Sequence, residues 1–302
     1  MDKKIKRLTV YRTNLVLNSA ADDEPSLKEF IVSESHYEPV FGKLLKETQY
    51  NESGQVDQVM AYSYNENGFV TSEELLEADG SILEKKTWQP GTEGRIAREF
   101  VHYADGSADR IEYEYDEMGR VIKKVRFDED DLIESVELFD YEADRLSREA
   151  LLGSKGEMLA ETIFTFNESG KVHELISNNA EEDIWVRKVY RYNEAGQPVS
   201  VTTFNKHGEP VARITYENDE LGRPRQITEE NRRQKNTVEM EYNERGEIIF
   251  QEEKDLNGEV TNRIERIYDS GGFLAESQIL VRNFQQGISR QYTLRNEYFF
   301  FD

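Results

Sequence analysis

Apolar and polar residues alternate in short stretches along most of this chain. Ile111-Glu-Tyr-Glu-Tyr115 places Ile111, Tyr113 and Tyr115 on one side and Glu112 and Glu114 on the other, and Val238-Glu-Met-Glu-Tyr242 repeats the arrangement. Met60, Tyr62 and Tyr64 alternate with Ala61 and Ser63, and Thr162, Phe164 and Phe166 share one side of their own stretch. A period of two over about eight residues predicts half-buried strands. The spacings of three and four that mark a helix are absent from these stretches. Because each stretch ends in a short connection, neighbouring strands must be antiparallel.

The connections repeat as well. Tyr50-Asn-Glu-Ser-Gly54 is followed by Tyr64-Asn-Glu-Asn-Gly68, Tyr115-Asp-Glu-Met-Gly119 and Phe166-Asn-Glu-Ser-Gly170. Tyr192-Asn-Glu-Ala-Gly196, Tyr242-Asn-Glu-Arg-Gly246 and Tyr268-Asp-Ser-Gly-Gly272 continue the series, and looser turns such as Ala104-Asp105-Gly106 and Lys206-His207-Gly208 fall between them. From Gly54 to Gly119 the glycines step by 14, 12, 14, 12 and 13 residues, and 14 of the 19 glycines sit on this lattice. Glycine suits the residue that leaves a type I turn with positive φ, and Asn or Asp at the head of the turn closes it through the side chain. Where glycine is missing, Asp128 to Asp131, Ala143-Asp144, Asn178-Asn179 and Glu230-Asn231 supply other turn formers.

The expected fold is all-β: an antiparallel β-meander of about nine tandem 26-residue hairpin repeats. Laid flat, roughly 18 to 20 strands would extend about 90 Å, and open twisted sheets rarely exceed about ten strands without curling. The sheet is therefore expected to curl into a spiral or partly closed form, with the Tyr/Phe/Ile/Val side inward. Residues 1–49 break the lattice and are read as an N-terminal capping segment. Within them a polar linker runs around Ala20 to Glu24, after which Glu24-Pro25-Ser26 starts a short helix through Phe30 or leads into a strand at Glu29 to Val32. Residues 50–287 form the array, and residues 288–302, with the aromatic run Tyr298 to Phe301, form a C-terminal cap.

Tyr115-Asp-Glu-Met-Gly119-Arg120-Val121 resembles the YD repeat of bacterial RHS proteins and their teneurin relatives, whose core reads Tyr-Asp-x-x-Gly-Arg. The resemblance covers roughly residues 45 to 290 and rests on spacing and turn, since most copies have Asn for Asp and lack the Arg. It implies a β-sheet shell architecture. Many RHS shells enclose a toxin domain, but those are several times longer. A short member is expected instead to bind a partner as a secretion-associated accessory or immunity factor.

Composition narrows the function further. The 61 acidic and 38 basic residues give a net charge of −23, which repels nucleic acid and anionic membranes. The absence of cysteine excludes disulfides, thiolate nucleophiles and cysteine-based zinc sites. The basic N-terminus is followed by Thr13, Asn14, Asn18 and Asp22-Asp23-Glu24, which interrupt any signal-peptide core, so a cytoplasmic location is expected. No window approaches the roughly 20 apolar residues of a spanning helix, and membrane insertion is not expected.

The chemistry-bearing residues point to binding. Asp128-Glu-Asp-Asp131 lacks the spacing of a calcium loop and reads as a solvated turn. His36, His102, His173 and His207 have no partner at ligand spacing, and neither a Gly-x-Ser-x-Gly elbow nor a phosphate-binding glycine loop occurs. No enzyme activity, cofactor or metal is expected; a carboxylate hydrolase would need two acids facing each other in a pocket. Tyr64, Gly68, Tyr115, Gly119, Phe166, Gly170, Tyr192, Gly196, Tyr242, Gly246, Tyr268 and Gly272 are assigned to the repeat itself. Trp88 and Trp185, outside the tyrosine series, and Phe299, Phe300 and Phe301 are the candidate partner contacts. The expected partner is a protein. Carbohydrate stacking on the aromatic ladder is the alternative, and self-association through an uncapped sheet edge competes with both.

Overall fold

A computed structural model describes residues 4–16, 26–91, 94–284 and 286–302, and twenty-two strands lie among them. The first eleven are β1 (Ile5–Val16), β2 (Ser26–Tyr37), β3 (Leu44–Tyr50), β4 (Val56–Tyr64), β5 (Val70–Glu77), β6 (Ile82–Pro90), β7 (Ile96–His102), β8 (Ala108–Tyr115), β9 (Val121–Phe127), β10 (Ile133–Glu142) and β11 (Arg145–Gly153). The rest are β12 (Met158–Phe166), β13 (Val172–Asn179), β14 (Ile184–Tyr192), β15 (Pro198–Phe204), β16 (Pro210–Asn218), β17 (Pro224–Asn231), β18 (Lys235–Tyr242), β19 (Ile248–Lys254), β20 (Val260–Tyr268), β21 (Leu274–Asn283) and β22 (Ile288–Phe300). The chain is all-β, as its alternation predicts. The expected polar linker around Ala20 to Glu24 lies outside the described residues; beyond it, Ser26–Tyr37 takes the strand alternative.

All strands belong to one antiparallel sheet, and β1 pairs with both β2 and β22. This corrects the expected spiral or partly closed sheet: the sheet is a closed barrel. The reason is edge chemistry. An unpaired first or last strand would leave a row of N–H and C=O groups without partners. Here β1 and β22 satisfy each other from Ile5↔Phe300 to Asn14↔Tyr292. Thr9, 2% exposed, is the most completely buried of the described side chains and sits on this seam. Arg295 on β22 reaches past β1 to Glu29 on β2 at 3.1 Å, its guanidinium lying 4.0 Å from the Tyr11 ring centre, and the Tyr11 hydroxyl donates to Glu297 at 2.9 Å. Segments almost 290 positions apart are thereby clasped.

The strands fall into two units, one of residues 1–87, 103–105 and 239–302 and one of residues 88–102 and 106–238. Among the described residues neither shows a thick apolar interior. The hydrophobic residues buried below about a tenth are Val59, Val125, Ala150 and Val201. Val125 pairs with Glu112 and faces away from Tyr113, whereas Val201 pairs with Tyr190 and shares its side. The single apolar wall expected from alternation is thus replaced by two mixed surfaces. The rings are half-buried, and cations cover several of them.

That covering follows a rule set by the turns. The 14 lattice glycines all have positive φ, between 72° and 91°, and Asp131, Ala143 and Asp183 take the same conformation where glycine is absent. In the turn after β8, Gly119 N–H donates to Asp116 C=O, and Asp116 Oδ1 accepts from the N–H groups of Met118 and Arg120. Turns after even-numbered strands, here called aromatic turns, also reach each other. Tyr115, Tyr141 and Tyr192 donate their hydroxyls to the carbonyls of Ile96, Val121 and Val172, each the first residue of the preceding odd strand. The cation just after each turn, Arg95, Arg120 or Lys171, lies over the same ring. Arg120 and Lys171 go on to the carbonyls of Ala143 and Gly196 in the next turn. Turns after odd-numbered strands are the intervening turns.

Candidate functional site

The turn between β2 and β3 departs from this pattern and builds the site. Its sequence, Glu38-Pro-Val-Phe-Gly-Lys43, replaces the usual polar tip with Val40 and Phe41. Glu38 closes the loop by donating its N–H to the Lys43 carbonyl at 2.9 Å. Its carboxylate accepts from Val40 N–H at 2.7 Å, Phe41 N–H at 2.5 Å and Lys43 N–H at 3.2 Å. Burial pushes the Glu38 carboxyl upward, but the N–H groups of Lys43, Val40 and Phe41 outweigh it and leave the pKa below its ordinary value. Lys4 holds the other side, donating to the carbonyls of Pro39, at 3.0 Å, and Val40.

So clamped, the turn presents its apolar side chains to water. Val40 is 65% exposed and Phe41 50%, with Phe69 of the next aromatic turn at 42%. The Phe41 ring covers Gly68, where a Cβ would come within 2.9 Å of it. Lys43 donates to the Gly68 carbonyl and lies 5.3 Å from the Tyr64 ring, while the Tyr64 hydroxyl donates to the Leu44 carbonyl at 2.7 Å. Two aromatic turns are thus locked together beneath an exposed apolar knob.

The candidates expected from sequence divide. Phe299, Phe300 and Phe301 lie at the end of β22 in the same unit as the knob, and Phe301 N–H donates to the carbonyl of Lys4, whose side chain holds the knob. Phe300 packs on Phe273 at 5.3 Å, and Phe299, 36% exposed, has the Arg7 guanidinium 3.9 Å from its ring centre. Trp88 on β6 and Trp185 on β14 are half-buried and belong to the other unit. Val40, Phe41 and Phe69 were not anticipated. Their signal was present: Gly42 stands 12 residues before Gly54, on the lattice, and the two residues before it are Val40 and Phe41, where Glu52-Ser53, Glu66-Asn67, Glu168-Ser169 and Glu194-Ala195 precede other glycines of the lattice.

The second unit holds a different feature. Tyr190 and Tyr192 line a concavity of about 570 Å³ with Lys171, His173, Asn193 and Glu194. Burial raises the pKa of both tyrosines above the ordinary value, with smaller contributions from neighbouring tyrosines.

No family model matches the chain, and no curated protein matches it. Among solved structures, a porin-like protein from Bacteroides uniformis aligns over 98% of both chains with 9% identity and a TM-score of 0.36. A TcdB2-TccC3-Cdc42 structure aligns over 91% of this chain and 17% of its own, with 10% identity and a TM-score of 0.30. TcdB2-TccC3 without its hypervariable C-terminal region gives 12% identity over the same shares, again with a TM-score of 0.30. This chain spans about a sixth of the length of those TcdB2-TccC3 chains. At such identities the functional reading rests on the residues themselves.

Proposed function

We propose that this chain is a non-enzymatic repeat scaffold that binds another protein through the Val40–Phe41–Phe69 knob. The observation that carries the reading is the contrast between a turn clamped by Glu38 and Lys4 and the exposed apolar side chains it presents. Ordered, solvent-facing apolar anchors of this kind are what interfaces bury at their centres. A preorganised anchor also loses little side-chain freedom on binding. The net charge of −23 favours encounter with a basic partner surface. The YD-like turns support a relation to RHS shells, and under it the partner is a secretion-associated protein.

Charge placement supports a barrel in water. A lipid-facing barrel needs an apolar band about 25 Å tall on one strand face. Here Arg98–Glu112 pairs on one face of the sheet at 3.0 Å, and Lys124–Glu137 pairs on the other, also at 3.0 Å. The cytoplasmic assignment is part of the same proposal.

The test is affinity capture from the native host with the wild-type chain and with Val40→Ser/Phe41→Ser. A stoichiometric partner held by the wild type and lost by the variant is expected. Recovery of the same proteins by both overturns the assignment of the knob.

The concavity at Tyr190 and Tyr192 favours a second reading, as a carbohydrate-binding module, because rings flanked by Asn and Glu suit sugar stacking. A glycan array that is silent for the wild type removes it.

A further inference from the structure

Most strand arginines of the second unit are neutralised. Arg98, Arg126, Arg148 and Arg187 each pair with a carboxylate across the sheet. Arg191 on β14 and Arg213 on β16 differ: among the described residues neither guanidinium has an ion pair or a hydrogen bond. Their positions are related by the register. Arg191 stands opposite Ser200 of β15, and Arg213 stands opposite Thr202, two residues along the same face of that strand. Two inter-strand spacings and one strand period put their backbones about 12 Å apart, a gap that two long side chains can close over β15.

Both arginines line one concavity of about 540 Å³, together with Thr202, Phe204, Glu230 and Arg232. Arg232 is held only loosely, 3.5 Å from Glu209. Glu230 stands opposite Arg213 in the β16–β17 register. Three guanidinium groups and one acid, Glu230, line this concavity, with Glu209 beside it on Arg232, in a chain whose net charge is −23. Guanidinium planes match oxyanions in a bidentate fork, and three of them suit a dianion better than a monoanion. The volume lies in the range of small-molecule sites, well above the needs of an inorganic ion. Phe204 supplies an aromatic wall.

We propose that this concavity binds a phosphate monoester carried on a small ring-bearing molecule. Arg191 and Arg213 grip the phosphate, Thr202 adds a hydroxyl donor, and the ring lies against Phe204. The site is independent of the protein-binding knob, which shares none of its residues.

Calorimetric titration of the full chain at low salt, where screening is weak, tests this with phenyl phosphate and inorganic phosphate. Phenyl phosphate should bind one to one and more tightly than inorganic phosphate. Arg191→Gln/Arg213→Gln should weaken it by about ten-fold or more, as expected for the loss of charge-assisted hydrogen bonds. Glu230→Gln, which removes the carboxylate lining the concavity, should tighten it; this single neutral change decides the matter if the double variant does not fold. Absence of saturable binding, or affinity unchanged in these variants, overturns the site. Equal affinity for the two probes overturns the aromatic half of it.

Discussion

The aromatic and the intervening turns use the same local chemistry but differ in what stands above their glycines. A Cβ at Gly119, Gly170, Gly196 or Gly222 would meet the side chain of Arg95, Arg145, Lys171 or Gln197, each reaching over from the aromatic turn before it. At Gly68 and Gly272 the covering groups are Phe41 and Arg245. At Gly54, Gly80, Gly106, Gly156, Gly208 and Gly258, all in intervening turns, nothing lies within 4 Å. Gly42, in the first aromatic turn, is also open. Glycine is favoured in both sets for its positive φ, but in the aromatic set it also makes room for a neighbour. The aromatic turns are cross-tied over their glycines, whereas the intervening turns meet through surface ion pairs such as Lys206–Asp183 and Arg232–Glu209 and leave their glycines open.

Paired glycine substitutions should break or sharpen this contrast most. Gly208→Ala carries only the left-handed backbone penalty, about 1–2 kcal/mol. Gly119→Ala carries the same penalty and also displaces Arg95 from Tyr115, a cation–π contact that adds about 0.5–1 kcal/mol. Urea unfolding of the two variants should separate them in that order. Equal losses would mean that the covering arginine contributes nothing. A smaller effect is expected from Tyr192→Phe, which cuts the hydroxyl tie to Val172 and leaves both turns intact. Its loss should be about 0.5–1.5 kcal/mol by the same measurement, the range for one hydrogen bond.

The smallest effect concerns acid. Asp116 is held below the ordinary carboxylate value first by the Arg120 N–H, with burial opposing and the Arg120 guanidinium adding to the N–H. A lowered folded pKa gives stability that is present above the unfolded value, near 3.9, and is lost as pH falls through the folded one. Asp116→Asn keeps the Oδ1 acceptor but cannot be protonated there. Its unfolding midpoint should fall less than the wild type's as pH drops below about 4. An identical acid profile would show that Arg120 does not depend on the charge of Asp116.

Much of the local structure was legible because it is written in short spacing. The lattice glycines, the Asn and Asp at turn heads and the two-residue alternation each report on a few neighbouring residues. The barrel closure was not legible. The pairing of β1 with β22 joins sequences with no shared turn, and loop geometry fixes register only within a hairpin. The same distance hid the cross-ties, since Arg120 finds Tyr141 and Ala143 only once successive hairpins are known to lie side by side. The strand total exceeded the expected one partly because β1 and β2, ahead of the lattice, join the sheet. At the site, Phe299 to Phe301 were visible as an aromatic run. Val40 and Phe41 are harder to read because their turn is one residue longer than the others, closing from Glu38 N–H to the Lys43 carbonyl rather than over four residues as from Asn51 to Gln55.

The seam has a consequence for how such a chain changes in size. An open tandem array can gain or lose a unit at either end and leave the others undisturbed. A ring has no such freedom, because β1 must always find β22. Duplication or deletion of one hairpin alters the circumference that every remaining hairpin has to share. The number of repeats is therefore answerable to one junction, and drift in copy number is penalised where β1 meets β22, far from where the change occurred.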